Sequence, residues 1–547
     1  MSLRNRLVLP IILSSLAVLA GCGSSTNSPV PPPSGAFSNT DFSGTYTFSV
    51  EGSDGNGPMS IAGSFTACGC TGGTISAGTV DFFDAALAAP ASAVGTNSTY
   101  SITSDGRGSA KLSITPTGGL AFDVVFDFVL TSSSHGLIVR YDTGGTGSGT
   151  IDLQPSAVAQ SSLDATPYVF TLSGSDANDD ILSTVGTFTL NSSGTITGGV
   201  EDCNLDGTPN PFPSAPSGTV PVGSGTAPGI GSILTACSSI ALGFDVYAID
   251  STHLKLIESD GTAFLVGDAF AQTSTSIPQG TLVFTMQGLD GGTSGNPFAA
   301  GGTVSSDGAS ELSAGLEDVN DDVNGVGTVD GGVTPPVSEP FSGSFVASPS
   351  GSGRFLVSLT GFDGGATFAA YPSSGGILML QVDSGLAAGI TSGMALLQTS
   401  GAALAATQGY GLNNSGEDIV NGVELDEIAQ FTTTSTGMTG LLNENDGDTL
   451  NTENVNGTYT PGSNGAGSAT IGTGLQSIFY YAADSSTALF ISTDPNQVAS
   501  GVIEAQTAPS DAAQSAIAKP RPLPMLRALP RSRTTTRHNQ GFLRPAK

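Results

Sequence analysis

The chain repeats itself four times, and no other feature narrows its fold so far. The run Gly44-Thr-Tyr-Thr-Phe-Ser-Val-Glu-Gly-Ser-Asp54 returns as Thr166-Pro-Tyr-Val-Phe-Thr-Leu-Ser-Gly-Ser-Asp176 and as Gly280-Thr-Leu-Val-Phe-Thr-Met-Gln-Gly-Leu-Asp290. A weaker fourth start falls at 401–411, where Gln408-Gly409 matches Gln287-Gly288. Each copy ends alike, as Gly149-x4-Gln154, Gly267-x4-Gln272, Gly393-x4-Gln398 and Gly501-x4-Gln506. Before each ending runs an apolar stretch closed by aspartate, at 137–142, 254–260, 378–383 and 489–494. Middle segments agree as well: Gly106-Arg-Gly108-Ser-Ala matches Gly465-Ala-Gly467-Ser-Ala, and Gly351-Ser-Gly353 more loosely. A fixed period of this kind means one supersecondary unit used repeatedly.

Within a copy, apolar and polar residues alternate with period two between glycine turns, the pattern of strands buried on one face. In the first copy Tyr46, Phe48 and Val50 point one way and Thr45, Thr47 and Ser49 the other. Strands are read at 45–51, 60–68, 73–82, 99–104, 107–114, 121–130, 136–142 and 148–154. The connections carry Asp-Gly and Gly-Gly, which tolerate the positive φ that tight hairpins need. No segment shows a capped 3.6-residue period. The fold class is therefore all-β: four tandem antiparallel domains of about eight strands, each an up-and-down barrel with the β-sandwich as alternative. The domains are placed at 41–157, 163–275, 278–399 and 400–507, with short polar linkers at 155–163 and 273–279.

The N-terminus carries an address. Arg4 and Arg6 precede 13 mostly apolar residues, too few for a span of roughly 20 and suited to a secretory signal. The stretch ends Leu19-Ala20-Gly21-Cys22, the lipobox pattern. Residues 1–21 are read as a signal peptide, Cys22 as the lipidated (palmitate-bearing) residue, and 22–40 as a Ser/Pro-rich tether. Together with the Gly-x-Tyr-x-Phe starts and Gly-x4-Gln ends, these residues resemble bacterial surface lipoproteins built from tandem glycine-rich β repeats. The resemblance implies export and a lipid anchor in the outer membrane or at the cell surface. It implies no particular activity.

Charge is distributed unevenly. Eight of the 15 basic residues lie between Lys519 and Lys547, and the body keeps only Arg107, Lys111, Arg140, Lys255 and Arg354 against all 46 acidic residues. Such a body repels phosphate, which excludes nucleic acid as a partner. The expected partners are the membrane, through the anchor, and an envelope or extracellular component. The Pro/Arg-rich stretch 508–547 lacks apolar periodicity and is expected to be a disordered tail.

Candidate chemistry is sparse. With Cys22 lipidated, four cysteines remain, and an oxidising exterior favours pairing Cys203 with Cys237 and Cys68 with Cys70. His135 and His253 occupy matching turns and are expected to face solvent. No nucleophile elbow, zinc-protease motif or phosphate-binding loop is present, so no catalytic residue is named and the chain is read as a non-enzyme. No cofactor is expected, with one metal candidate, calcium: Asp318, Asn320, Asp322 and Asn324 place oxygens on alternate residues of a glycine-closed stretch. Related acidic stretches, Glu201-Asp202-Cys203-Asn204 and Asn443-Glu-Asn-Asp446-Gly-Asp448, hold roughly the same place in their copies. The expected function is a lipid-anchored envelope protein with a structural or adhesive role. The alternatives are a small-ligand barrel and an extracellular hydrolase.

Overall fold

The computed structural model describes residues 37–507 and Pro509, apart from 177–179, 211–213, 235–240, 291–294, 323–326, 330–337, 363–364, 384–388 and 473–476. The signal peptide, Cys22, most of the tether, Cys237, Asn324 and almost all of the tail lie outside these residues.

The described chain forms four antiparallel β modules. Their first strands are Ser43–Asp54, Pro167–Asp176, Gly280–Leu289 and Gly409–Asp418, and their last are Gly145–Gln154, Ala263–Ala271, Ile390–Leu397 and Gln497–Ala505. In every module the first strand pairs with both the second and the last, so the meander turns back on itself. Module four is a closed eight-stranded barrel. Pairing of Pro297–Ser306 with Glu311–Asp322 draws module three's sheet round, and pairing of Ala88–Val94 with Arg107–Thr115 does so in module one. In module two the edges meet through isolated bridges, Thr195 with Thr219 and Glu201 with Ser214. Module one contains nine strands where eight were read. The extra one, Ala88–Val94 (Ala-Ala-Pro-Ala-Ser-Ala-Val), has no apolar alternation and is held by its neighbours.

The repeated residues now have reasons. Tyr46, Tyr168 and Tyr410 are fully buried, and each hydroxyl donates to a turn carbonyl, on Ser133, Ser251 and Ser485. Tyr410 therefore corrects the fourth start: the copy begins at Gln408, seven residues further on than the match at 401–411, and its Asp418 is the counterpart of Asp54, Asp176 and Asp290. All four aspartates accept a backbone N–H from the following turn. The final glycines allow the first strand to approach. A Cβ on Gly149 would stand 1.7 Å from the Ser49 carbonyl, and Gly267, Gly393 and Gly501 are similarly crowded. The linkers are packed rather than free: Leu163 and Ile277 are buried in the cores of the modules that follow, as Phe42 and Leu404 are in theirs. The tether joins the fold early, with Phe37 buried and its N–H donating to Ser104 O.

A row of separate domains was the picture from sequence; the structure replaces it with a closed ring. The leading strands of each module pack on the trailing strands of the next, and module four packs on module one. One apolar cluster draws residues from all four, among them Val139, Phe270, Leu378 and Leu489. Head-to-tail contacts of a single type close only when the rotation per copy suits the copy number.

The end glutamines fasten the ring. Gln154 Nε2 donates to Ala248 O of module two, Gln398 Nε2 to Ala482 O of module four, and Gln506 Nε2 to Leu130 O of module one. Gly106 lies against the Gln506 amide, Gly465 against that of Gln398 and Gly353 against that of Gln272 (φ +87°, +78° and +76°), where a side chain would collide. That equivalence corrects the sequence match, which set Gly351 rather than Gly353 against Gly106.

Candidate functional site

The chain's unusual chemistry is concentrated where modules four, one and two meet. Trailing strands His135–Asp142 and His253–Glu258 place one histidine each at the start of the strand. These turns face neighbouring modules, so both histidines are buried, contrary to the expectation of solvent-facing rings. His135 Nδ1 lies 2.7 Å from Asp152 and its Nε2 lies 3.1 Å from Glu504 of module four. Lys255 of module two, 0% exposed, reaches across to Asp152 (3.5 Å), Thr150 (2.6 Å) and Ser49 (3.2 Å) of module one. It also lies 3.2 Å from Asp268 of its own module, which His253 meets at 2.7 Å. The result is a largely buried chain of alternating acidic and basic side chains, Glu504–His135–Asp152–Lys255–Asp268–His253, crossing three modules.

Its electrostatics follow from burial and neighbours. Burial alone would strip the proton from His135, but Glu504 and Asp152 outweigh it and push the imidazole up to about 10. Burial opposes charge on Asp152 too, yet His135 and Lys255 hold its carboxyl below the usual range. Asp268 is lowered against its own desolvation by Lys255 and His253. Each charge is thus stabilised by its neighbours, the condition under which buried ions are tolerated. With both ring nitrogens of His135 facing carboxylates, neither is available to relay a substrate proton. The arrangement joins modules four, one and two.

Other junctions use neutral or paired devices at matching positions. Tyr247, Tyr371 and Tyr481 each donate to an aspartate of the preceding module, Asp81, Asp202 and Asp318. Asp202 is further clamped by Arg354, through Nε at 2.5 Å and Nη2 at 2.7 Å. Two residues beyond these aspartates, Asn204 donates to Gln381 O and Gly389 O, and Asn320 to Ser492 O and Gln497 O. At the closing junction Asn445 donates to Arg140 O and Gly145 O. Module one has Phe83 at this position, and its junction with module two is correspondingly apolar there, with Ala62, Tyr247, Ile257 and Val266.

Of the calcium candidates Asp318, Asn320, Asp322 and Asn324, the last lies outside the described residues. Asp318, Asn320 and Asp322 lie on the strand Glu311–Asp322, not in a loop. Asp318 accepts from Tyr481 and Ser338, while Asn320 turns its amide N–H₂ to a neighbour's backbone. Asp318 and Asn320 of this acidic motif take part in an intermodule clasp. Among the described residues no group of three His, Cys, Asp or Glu is brought together to hold a metal ion. Cys68 and Cys70 are joined to each other. Cys203 is buried and disulfide-bonded, its expected partner Cys237 lying outside the described residues.

The module interiors are packed with side chains; Phe42, Tyr46, Phe48, Phe65, Phe126 and Phe128 fill the first. Module three keeps an apolar cavity of about 40 Å³ between residues such as Phe284, Phe341 and Met379. That is room for one or two waters.

Sequence reasoning missed Lys255, although a signal was present. Aligning the apolar stretches on their closing aspartates, Asp142, Asp260, Asp383 and Asp494, sets Lys255 against Leu137, Leu378 and Leu489. Starting the second stretch at Leu254 instead shifted it by one residue and hid the lysine.

No family model and no curated protein matches the chain. Among solved structures, a mutant of the vaccine antigen transferrin binding protein B from Haemophilus parasuis aligns over 68% of this chain and 83% of that one, at 9% identity and a TM-score of 0.16.

Proposed function

We propose that this is a lipid-anchored, exported envelope protein without enzymatic activity. Its four modules act as one rigid acidic block, presenting carboxylates outward to a cationic or cation-bearing partner. The carrying observation is where the positive charge sits. Of the body's five basic side chains, Arg140, Lys255 and Arg354 are buried. Only Arg107 and Lys111 reach solvent, and each lies beside an aspartate, Asp105 and Asp123. The cations hold the interior and the surface is left to the acids, a distribution that keeps the particle soluble and steers cations toward it. The filled interiors favour a structural or adhesive role over carriage of a small ligand.

The anchor reading rests on Leu19-Ala20-Gly21-Cys22 behind Arg4, Arg6 and a 13-residue apolar run. Two or three acyl chains on Cys22 make a stable attachment. Cells fed labelled palmitate are expected to mark the wild-type chain, whereas Cys22→Ser leaves an unlabelled precursor that keeps its first 21 residues. Normal processing and labelling of that variant would overturn the anchor.

A further inference from the structure

Module one makes two junctions, and one face of its first strand serves both. On Ser43–Asp54 the residues Ser49, Glu51 and Ser53 alternate with the core residues Phe48 and Val50, so they point out of the barrel toward neighbouring modules. On the side of module two, Glu51 Oε2 accepts from Ser173 Oγ at 2.6 Å. Ser175 lies two residues further along Pro167–Asp176 and so shares the face of Ser173. On the side of module four, Ser53 is paired with Thr146, whose Oγ1 donates to Asp426 Oδ2 at 2.8 Å. Glu424 stands two residues before Asp426 on Val423–Thr433, again on the same face. Strands of three modules thus bring Glu51, Ser53, Ser175 and Glu424 to one place.

A cavity of about 30 Å³ lies there, lined by these four side chains, with Met59 and Phe264 among its apolar walls. Every polar side chain on it ends in oxygen. Met59 Sδ, the one soft donor in the wall, already accepts from Arg140 Nη1, and Arg140 is paired with Asp142 at 3.0 Å. The site is set well inside the particle: Glu51 and Glu424 are each 8% exposed and Ser175 is 4% exposed. Nothing in the fold meets the Ser175 hydroxyl, which has no hydrogen-bond partner although its oxygen is buried. A polar group left in that state is costly, and its partner is to be sought in the space that it lines.

We infer that this cavity is a binding site for one calcium ion, which ties module one to modules two and four at once. Two carboxylates match the charge of a divalent ion, and a lining without side-chain N–H groups suits a cation and not an anion. Calcium is a hard ion that takes about 6–8 oxygens in a flexible shell, with carboxylates serving through one or both oxygens and waters completing the set. Two carboxylates with two hydroxyls are therefore enough, and no third acid is needed. Magnesium demands a tighter octahedral shell and gives up its waters reluctantly, which fits a site assembled from three separate strands less well. A polar cavity of this size also has room for one or two waters, the occupant against which the ion is to be tested.

The test uses the non-acylated chain, residues 23–547, freed of metal with a chelator and dialysed against labelled calcium. Salt at about 0.15 M, with magnesium present, suppresses loose uptake by the exposed acids. One calcium per chain is expected to bind saturably, with a dissociation constant of about 10⁻⁴–10⁻³ M, the range of extracellular calcium modules. Glu51→Gln and Glu424→Gln remove charge with little change of volume, and each is expected to weaken binding at least about tenfold. Ser175→Ala keeps both carboxylates and guards against a folding effect. It is expected to weaken calcium binding at least about threefold while melting no lower than wild type in chelator, since its hydroxyl has no bond to lose. Uptake that rises without saturating overturns the inference, because water then fills the cavity and the surface takes the calcium. A saturable site that none of the three substitutions weakens overturns it as well.

Discussion

Modules two and three bring the same positions of the same strands to their junctions and fill them oppositely. Lys255, Glu258 and Asp268 in module two stand where module three has Leu378, Gln381 and Met394. Lys255 and Leu378 are both at 0% exposure, so at that position burial is the same and only the chemistry differs, whereas Asp268 is partly exposed where Met394 is fully buried. Module three places its apolar residues in the cluster shared by all four modules. Module two instead threads charge from module four to its own histidine. The backbone clasp specifies the geometry, and the side chains on it are free to be ionic or apolar provided each charge finds its opposite. An apolar junction gains simply by leaving water. An ionic one repays its desolvation only while every member is present.

Removing one member is the severest way to break this comparison. Lys255→Met strips buried Asp152 and partly buried Asp268 of their shared cation, and is expected to lower stability by about 3–5 kcal/mol in denaturant titration. A loss below about 1 kcal/mol would mean that the chain of charges contributes little beyond its packing.

Glu258→Gln installs module three's residue in module two and sharpens the comparison through pH. Burial, then Asp260 beside it, pushes Glu258 up to about 8. A carboxyl raised in the fold contributes stability below its unfolded value near 4.5, and that contribution is lost as pH rises through about 8. His135, raised to about 10, contributes below about 6.5 and is lost on the way to about 10, so the protein is expected to melt lower at about pH 9 than at about pH 5. Glutamine mimics the protonated acid. The variant should match wild type at the acid end and exceed it by about 1–3 kcal/mol at the alkaline end. Identical pH profiles for the two proteins would remove Glu258 from the account.

The gentlest change converts the pair together. Lys255→Leu with Asp268→Met should lose less stability than Lys255→Met alone in the same titration, since Asp268 is no longer left without its cation and Asp152 keeps His135. A loss as large as that of Lys255→Met alone would show that module two, unlike module three, cannot accept the apolar filling.

The modules themselves were legible because their signals are local. Period-two alternation and Asp-Gly turns report on strands adjacent in sequence, and the Tyr46, Tyr168 and Gly149-type residues on contacts inside a single module. The ring was not legible, since its determinants are single residues on otherwise ordinary strands. Asn320 reads as turn-forming or ligand-like until the carbonyls of Ser492 and Gln497, more than 170 residues away, are opposite it. Gln154, Gln398 and Gln506 were visible as a motif, but a recurring residue does not say whether it serves its own module or the next. The histidines were misjudged for the same reason: a turn is exposed in an isolated barrel and buried in a ring.

Closure also makes copy number all-or-nothing. In a row of independent beads one duplication more or fewer changes length and little else. Here the angle between successive copies has already been spent in completing the circuit, so a fifth copy would find both neighbouring faces occupied and a missing one would leave two faces bare. Genetic drift by single units, the ordinary way tandem arrays grow and shrink, is closed to this protein; its lineage can vary residues within a quarter but must keep the quartet.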